Sequence, residues 1–140
     1  MNASLSRLRK RAIGSRHGLL VSEEVLHRAC AQWLSLAKAR YPTLAWMTHI
    51  PNGGKRPKGE AGKLKAMGVV PGMPDFILPV RSGPWIGLAV ELKSATGKLR
   101  PSQSAWLEML ASQGWKTHVV REFEDFADVV VDYLRAIDAT

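Results

Sequence analysis

Between Ser22 and Arg40, apolar residues recur at spacings of three and four. Leu26, Ala29, Cys30, Trp33, Leu34 and Ala37 share one face of a predicted helix. Ser22 is a favourable N-cap, and Pro42 bars continuation. Leu44 to Ile50 reads as a strand, ended by Pro51 and the turn-like Asn52-Gly53-Gly54. The chain from 55 to 74 is basic and rich in Gly and Pro, with a short helix predicted over Ala61–Met67. A connection this long in a small domain is more often functional than filler. Asp75 to Pro79 is a short strand, and Arg81-Ser82-Gly83-Pro84 a turn. Trp85 to Lys93 is the clearest strand: Ile86, Leu88, Val90 and Leu92 alternate with Gly87, Ala89, Glu91 and Lys93. After a polar loop from Ala95 to Arg100, Pro101-Ser102 open a helix that stops near Gly114. Thr117 to Val120 is a further strand. A final helix from Glu122 to Ile137 carries the stripe Phe123, Phe126, Ala127, Val130 and Leu134. Residues 1–21 show only weak periodicity and read as a flexible basic arm before a domain over 22–140. The order helix, three strands, helix, strand, helix predicts an α/β fold with a mixed central sheet flanked by helices.

Composition narrows the class. The chain has 140 residues, 46% hydrophobic and 23% charged, which suits one globular domain with a substantial core. No apolar run is long enough to span a membrane or to form a signal-peptide core, so no membrane association is expected. One cysteine, Cys30, excludes an internal disulfide framework and a cysteine-rich zinc site, as expected of a protein kept in a reducing cytoplasm.

Charge is the first positive clue. The net charge of +8 is concentrated in two stretches. Residues 1–20 carry Arg7, Arg9, Lys10, Arg11 and Arg16 without an acid. Residues 52–68 carry Lys55, Arg56, Lys58, Lys63 and Lys65 against Glu60. Two basic clusters on a near-neutral body point to a polyanion such as DNA. A solubilising tail, a solvated loop or a transit peptide are the plainer readings of the same residues.

The strand at 85–93 needs a second explanation. One face is an ordinary core face; the other is Gly87, Ala89, Glu91 and Lys93. The small residues are expected to leave room above the sheet. Glu91 and Lys93 are either an exposed ion pair on a solvated face or part of a site. Asp75, at the mouth of the preceding strand, is either a strand-start acid or a second carboxylate beside Glu91. Two carboxylates on neighbouring strands can share one hard divalent cation such as Mg²⁺, and a nearby lysine can stabilise charge or orient a water. On the first helix, Glu23 falls about 60° from the centre of the apolar stripe and Glu24 faces solvent. Glu23 is therefore a core-edge acid needing compensation or a first-turn acid favoured by the helix dipole. Gln103 stands on the inner face of the second helix, as part of a site or as a buried amide bonded to backbone.

Taken together, these segments identify a family. Ile50-Pro51-Asn52-Gly53-Gly54-Lys55-Arg56, Gly68-Val69-Val70-Pro71-Gly72-Met73-Pro74-Asp75, Gly87-Leu88-Ala89-Val90-Glu91-Leu92-Lys93, Gly97-Lys98-Leu99-Arg100-Pro101-Ser102-Gln103 and Trp106 occur in the order seen in VRR-NUC proteins. From Ser22 to Leu134 the chain resembles this branch of the PD-(D/E)XK nucleases. The resemblance implies a restriction-endonuclease-like core. It also implies a Mg²⁺- or Mn²⁺-dependent deoxyribonuclease that, like small phage-type members, acts on branched DNA such as four-way junctions as a homodimer. Such a protein would work in the cytoplasm of a bacterium or a phage-infected cell. Asp75 and Glu91 are then the metal ligands, joined by the Leu92 carbonyl. Lys93 stands at the attacking water, Gln103 beside the site, and Glu23 is the helix acid. Asn52, Lys55, Arg56, Lys58, Lys63 and Lys65, with Arg7, Arg9, Lys10 and Arg11 of the arm, are expected to hold the DNA backbone. Val70 stands where the family often has Lys or Arg, and His27 where it often has Gln. The alternative from another class is a non-catalytic DNA-binding module on the same fold.

Other chemistries have little support. There is no Gly-rich loop followed by Lys-Ser/Thr, and no serine with a His/Asp grouping. His17, His49 and His118 do not share ligand spacing, so no histidine metal site is expected. Trp33, Trp106 and Trp115 read as core. Trp46 and Trp85 read as packing at strand ends, with base stacking as the alternative.

Overall fold

The structure is a computed structural model and describes residues 21–51 and 59–138. Helix α1 spans Glu23–Ala37 and is capped by the Ser22 hydroxyl, which accepts the Val25 N–H. Its stripe of Leu26, Cys30, Trp33, Leu34 and Ala37 is buried, as the spacing predicts. The predicted strand at 44–50 is largely something else. Pro42–Trp46 is a 3₁₀ turn with proline in its first turn, which buries Leu44 and leaves only Thr48–His49 as strand β1. Proline's fixed φ suits a helical first turn and overrides the β-propensity of the residues after it. Trp46 is left 69% exposed, contrary to its expected packing role.

Helix α2 (Glu60–Ala66) lies near its expected place in the long connection. Strands β2 (Phe76–Leu78) and β3 (Gly87–Leu92) follow, then α3 (Pro101–Ser112), β4 (Trp115–Val120) and α4 (Phe123–Asp138). The sheet runs β1-β2-β3-β4, with antiparallel pairs up to β3 and a parallel β3–β4 pair. The parallel pair requires a crossover, and α3 supplies it. This is the mixed α/β architecture that the element order predicts.

Leu78, Leu88, Val90 and Leu92 join Phe76, Trp33, Phe126, Val130 and Tyr133 in the main core beneath α1 and α4. The Ser82 hydroxyl donates to the Tyr133 carbonyl, and the Tyr133 hydroxyl donates to the Val80 carbonyl, so the β2–β3 connection is clamped to α4.

Strand β3 is buried along its whole length. The room expected above Gly87 is filled: a Cβ there would lie 2.4 Å from the Trp115 ring. Gly87 is small because an aromatic ring crosses it, and no cavity is reserved there. The Glu91–Lys93 face lies beneath α3 and is not the solvated face that an exposed ion pair would need.

Candidate active site

Antiparallel register brings the first two acids together. Phe76 pairs with Val90, so one step further along the ladder Asp75 stands beside Glu91. Backbone contacts hold Asp75 on both sides. Its Oδ2 accepts the Leu92 N–H at 2.7 Å, and its carbonyl accepts the Ile50 N–H at 2.7 Å. The His49 ring Nδ1 also meets that carbonyl, at 2.8 Å. Asp75 is thus the junction at which β1, β2 and β3 converge.

The approach to Asp75 depends on Gly72. That residue has φ +103°, and a Cβ would sit 2.5 Å from the Ser102 carbonyl oxygen and 2.8 Å from the Trp106 ring. Only glycine tolerates both the conformation and the contact. The Trp106 Nε1 donates to the Pro71 carbonyl at 2.9 Å, pinning the same loop to α3. The Pro71-Gly72 end of this stretch is therefore pinned to α3, and it leads directly into Asp75.

Glu91 is 2% exposed and Lys93 6% exposed. Their charged ends are 4.0 Å apart. The Gln103 Nε2 donates to Glu91 Oε1 at 3.1 Å, while its Oε1 accepts the Arg100 N–H at 2.9 Å. The second bond fixes the first. With its oxygen taken by a backbone donor at the start of α3, the amide must aim its nitrogen at Glu91.

Burial pushes the Glu91 carboxyl up to about 8. The Asp75 charge and a hydrogen bond with Asp75 act in the same direction; Lys93 opposes them, and Glu23 adds a smaller push. Two carboxylates this close cannot both ionise cheaply, so near neutral pH Glu91 keeps its proton.

Glu23 lies in the exposed first turn of α1 and not at a buried core edge. Its charge still reaches Glu91, which sets it apart from Glu24. Glu24 points to solvent and pairs with Arg28 at 2.9 Å. Lys63 and Lys65 are exposed on α2. Asn52, Lys55, Arg56 and Lys58 fall outside the described residues, as do Arg7, Arg9, Lys10 and Arg11.

One grouping escaped sequence reasoning. His27 and His49 stand edge to face with ring centroids 4.2 Å apart, and both adjoin Phe76. One ligand atom from each of His27, His49 and Asp75 lies within 4.8 Å of the others. Burial, then the neighbouring His49, lower the His27 pKa, with Asp75 partly opposing them. The available signal was positional: His27 is one helical turn beyond Glu23, so any helix rotation that aims Glu23 at the site brings His27 with it. Cys30 is buried in the α1 stripe, and desolvation pushes its thiol up to about 12, as suits an inert core residue.

Comparison with known proteins gives a consistent picture. The family model described as the VRR-NUC domain matches residues 21–123. A solved structure titled VRR_NUC domain protein superimposes with a TM-score of 0.69 at 24% identity, covering 84% of this chain and 92% of that one. None of the curated proteins compared matches the chain.

Proposed function

Since the chain belongs to the VRR-NUC domain family, a nuclease family that acts on DNA, we propose that it is a divalent-metal-dependent DNA endonuclease whose active site is Asp75, Glu91, Lys93 and Gln103, with Glu23 at the edge. One observation carries this reading: two carboxylates, a lysine and an amide from β2, β3 and α3 converge, with Glu91 and Lys93 buried. A protein that only binds DNA has no use for an acid pair held together against its own repulsion.

The donor set suits a hard divalent cation. Asp75 and Glu91 offer oxygen ligands, and the Glu91 pKa, raised by burial first and by the Asp75 charge second, marks a site where bound positive charge would favour the ionised carboxylate. Asp75, Glu91 and the Leu92 carbonyl are the proposed ligands of Mg²⁺ or Mn²⁺. When bound, the cation supplies neutralisation of the scissile phosphate and acidification of a water molecule.

The remaining work belongs to side chains. Lys93 holds a positive charge on a buried stem beside Glu91, where it can donate to the attacking water or to a phosphate oxygen. Gln103 fixes the Glu91 carboxylate from the other side. Glu23 adds negative charge at the rim. Lys63 and Lys65 on α2, with the basic residues of 52–58 and of the 1–21 arm, bind the DNA backbone. The resemblance to small phage-type members supports branched DNA as the substrate and a homodimer as the acting form. Among the described residues no helix is long and apolar enough to cross a membrane.

The test is cleavage of plasmid and four-way-junction DNA with Mg²⁺, Mn²⁺ or chelator. Cleavage should require the cation and should nearly vanish in Asp75→Asn and Glu91→Gln, while both variants still bind DNA in chelator. Wild-type-like cleavage by either variant would overturn the site assignment. Binding without cleavage by the wild-type protein would leave a DNA-binding module.

A further inference from the structure

The carboxylate pair does not account for His27 and His49. His49 is exposed on a two-residue strand, and His27 is half-buried one turn into α1. The two rings pack on one another and on Phe76, but that packing alone does not call for nitrogen-bearing rings beside an acid. Phe76 alone would be covered as well by aliphatic side chains.

The hydrogen bond at His49 is informative. A carbonyl oxygen can only accept, so His49 Nδ1, 2.8 Å from the Asp75 carbonyl, carries a proton. That bond fixes the ring plane and leaves Nε2 as the ligand nitrogen. A backbone carbonyl behind one imidazole nitrogen is the usual support for a histidine that binds metal through the other. Here the supporting carbonyl belongs to the residue whose carboxylate completes the group.

The distances are also of the right order. Ligand atoms about 2.1 Å from one tetrahedral ion stand about 3.4 Å apart. One ring nitrogen of each histidine and one Asp75 carboxylate oxygen lie within 4.8 Å of one another. Closing on an ion requires small shifts of side-chain torsions, which the half-exposed edge of the group can absorb while the His49 bond to the Asp75 carbonyl is kept. Asp75 Oδ2 is engaged by the Leu92 N–H, but each carboxylate oxygen has a second lone pair.

We propose that His27, His49 and Asp75 form a second cation site, which takes a nitrogen-preferring divalent transition ion of the Zn²⁺ class and shares Asp75 with the carboxylate pair. Two imidazoles and one carboxylate suit Zn²⁺ or Co²⁺ and disfavour Mg²⁺, which prefers all-oxygen shells. Three protein ligands leave at least one position for a solvent or phosphate oxygen. The site does not depend on the nuclease reading, because neither histidine belongs to the proposed Mg²⁺ ligand set.

The experiment titrates the full-length protein with Zn²⁺, and with Co²⁺ as a spectroscopic probe, in the presence of excess Mg²⁺. Calorimetry and the visible absorption of Co²⁺ are the readouts. Zn²⁺ should bind at one site per chain, and excess Mg²⁺ should not displace it. His49→Gln and His27→Gln should each weaken Zn²⁺ at least tenfold and leave Mg²⁺ affinity within twofold. Glu91→Gln should do the reverse. The Co²⁺ spectrum should carry imidazole-dependent bands that His49→Gln removes. Circular dichroism confirms that each variant is folded, and the exposed His49 position keeps the test valid if His27→Gln is not. Unchanged Zn²⁺ affinity in His49→Gln would overturn the proposal, as would Zn²⁺ binding that disappears in Glu91→Gln. Loss of Mg²⁺ binding from the wild-type protein with Zn²⁺ binding intact would instead refute the carboxylate site and leave this one standing.

Discussion

Gln103 is the residue whose removal tests the site most directly, because its two hydrogen bonds have separable consequences. Its Oε1 accepts the Arg100 N–H at the exposed start of α3, and its Nε2 donates to the buried Glu91 carboxyl. Gln103→Ala removes both. Loss of the helix-start contact costs about 1 kcal/mol, since water replaces it in part. Leaving a buried carboxyl oxygen without its donor costs about 1–3 kcal/mol. The total of about 2–4 kcal/mol corresponds to a fall in Tm of roughly 7–14 °C for a chain of this size. Gln103→Glu separates the terms. It keeps an acceptor for Arg100 but sets a third acid against Glu91. It should therefore be near wild type at pH 5, where Glu91 is protonated, and less stable than wild type at pH 8. Urea denaturation of metal-free protein at both pH values measures this, and the Glu91→Ala background isolates the pair. In that background Gln103→Ala should cost only the helix-start term of about 1 kcal/mol. Single-turnover cleavage by Gln103→Ala should fall by about ten- to a hundredfold with DNA affinity unchanged. A Gln103→Ala cost below about 0.5 kcal/mol would show that Gln103 does not hold Glu91. An equal cost with and without Glu91 would show the same.

The raised Glu91 pKa sets a pH dependence. Folded protein holds that proton more tightly than the unfolded chain does. In chelator, stability should therefore be greatest below the ordinary carboxylate value of 4.5 and fall as pH rises towards about 8, by up to about 1.4 kcal/mol per pH unit, then level off; Mg²⁺ should flatten the slope. Gly72→Ala should destabilise by roughly 2–4 kcal/mol in thermal melts, because the new Cβ meets the Ser102 carbonyl in a left-handed conformation. Gly62→Ala in α2, where a Cβ meets nothing, should stabilise by up to about 1 kcal/mol. Glu23→Gln should lower cleavage by an order of magnitude or more, whereas Glu24→Gln should be almost silent; the opposite ranking would remove Glu23 from the site. Deleting residues 1–20 should lower the log–log salt slope of DNA binding by roughly two to four; an unchanged slope would show that the arm makes no phosphate contacts.

Local pattern was enough for much of this protein. The spacing of Leu26, Cys30, Trp33 and Leu34 placed α1, and the alternation through Val90 and Leu92 placed β3 with Glu91 and Lys93 on one face. Both are consequences of backbone periodicity, which a neighbour cannot change. The order of elements was enough for the mixed sheet, and the ordered motifs pointed to Asp75, Glu91, Lys93 and Gln103. Tertiary structure decided what depends on partners distant in sequence. The Trp115 ring over Gly87 turned a supposed opening into packing, because glycine shows only that space is needed and not what fills it. The 3₁₀ turn at Pro42–Trp46 replaced most of a strand whose propensity was genuine but whose buried contact was Leu44. Whether Glu91 and Lys93 formed a solvated ion pair or a buried site depended on α3 lying over them. The pairing of His49 with Phe76 brought it to Asp75 and His27, a meeting of three elements that no spacing along the chain encodes. Periodicity is set within a segment, but burial and the meeting of charges are set by the register and crossover that join segments.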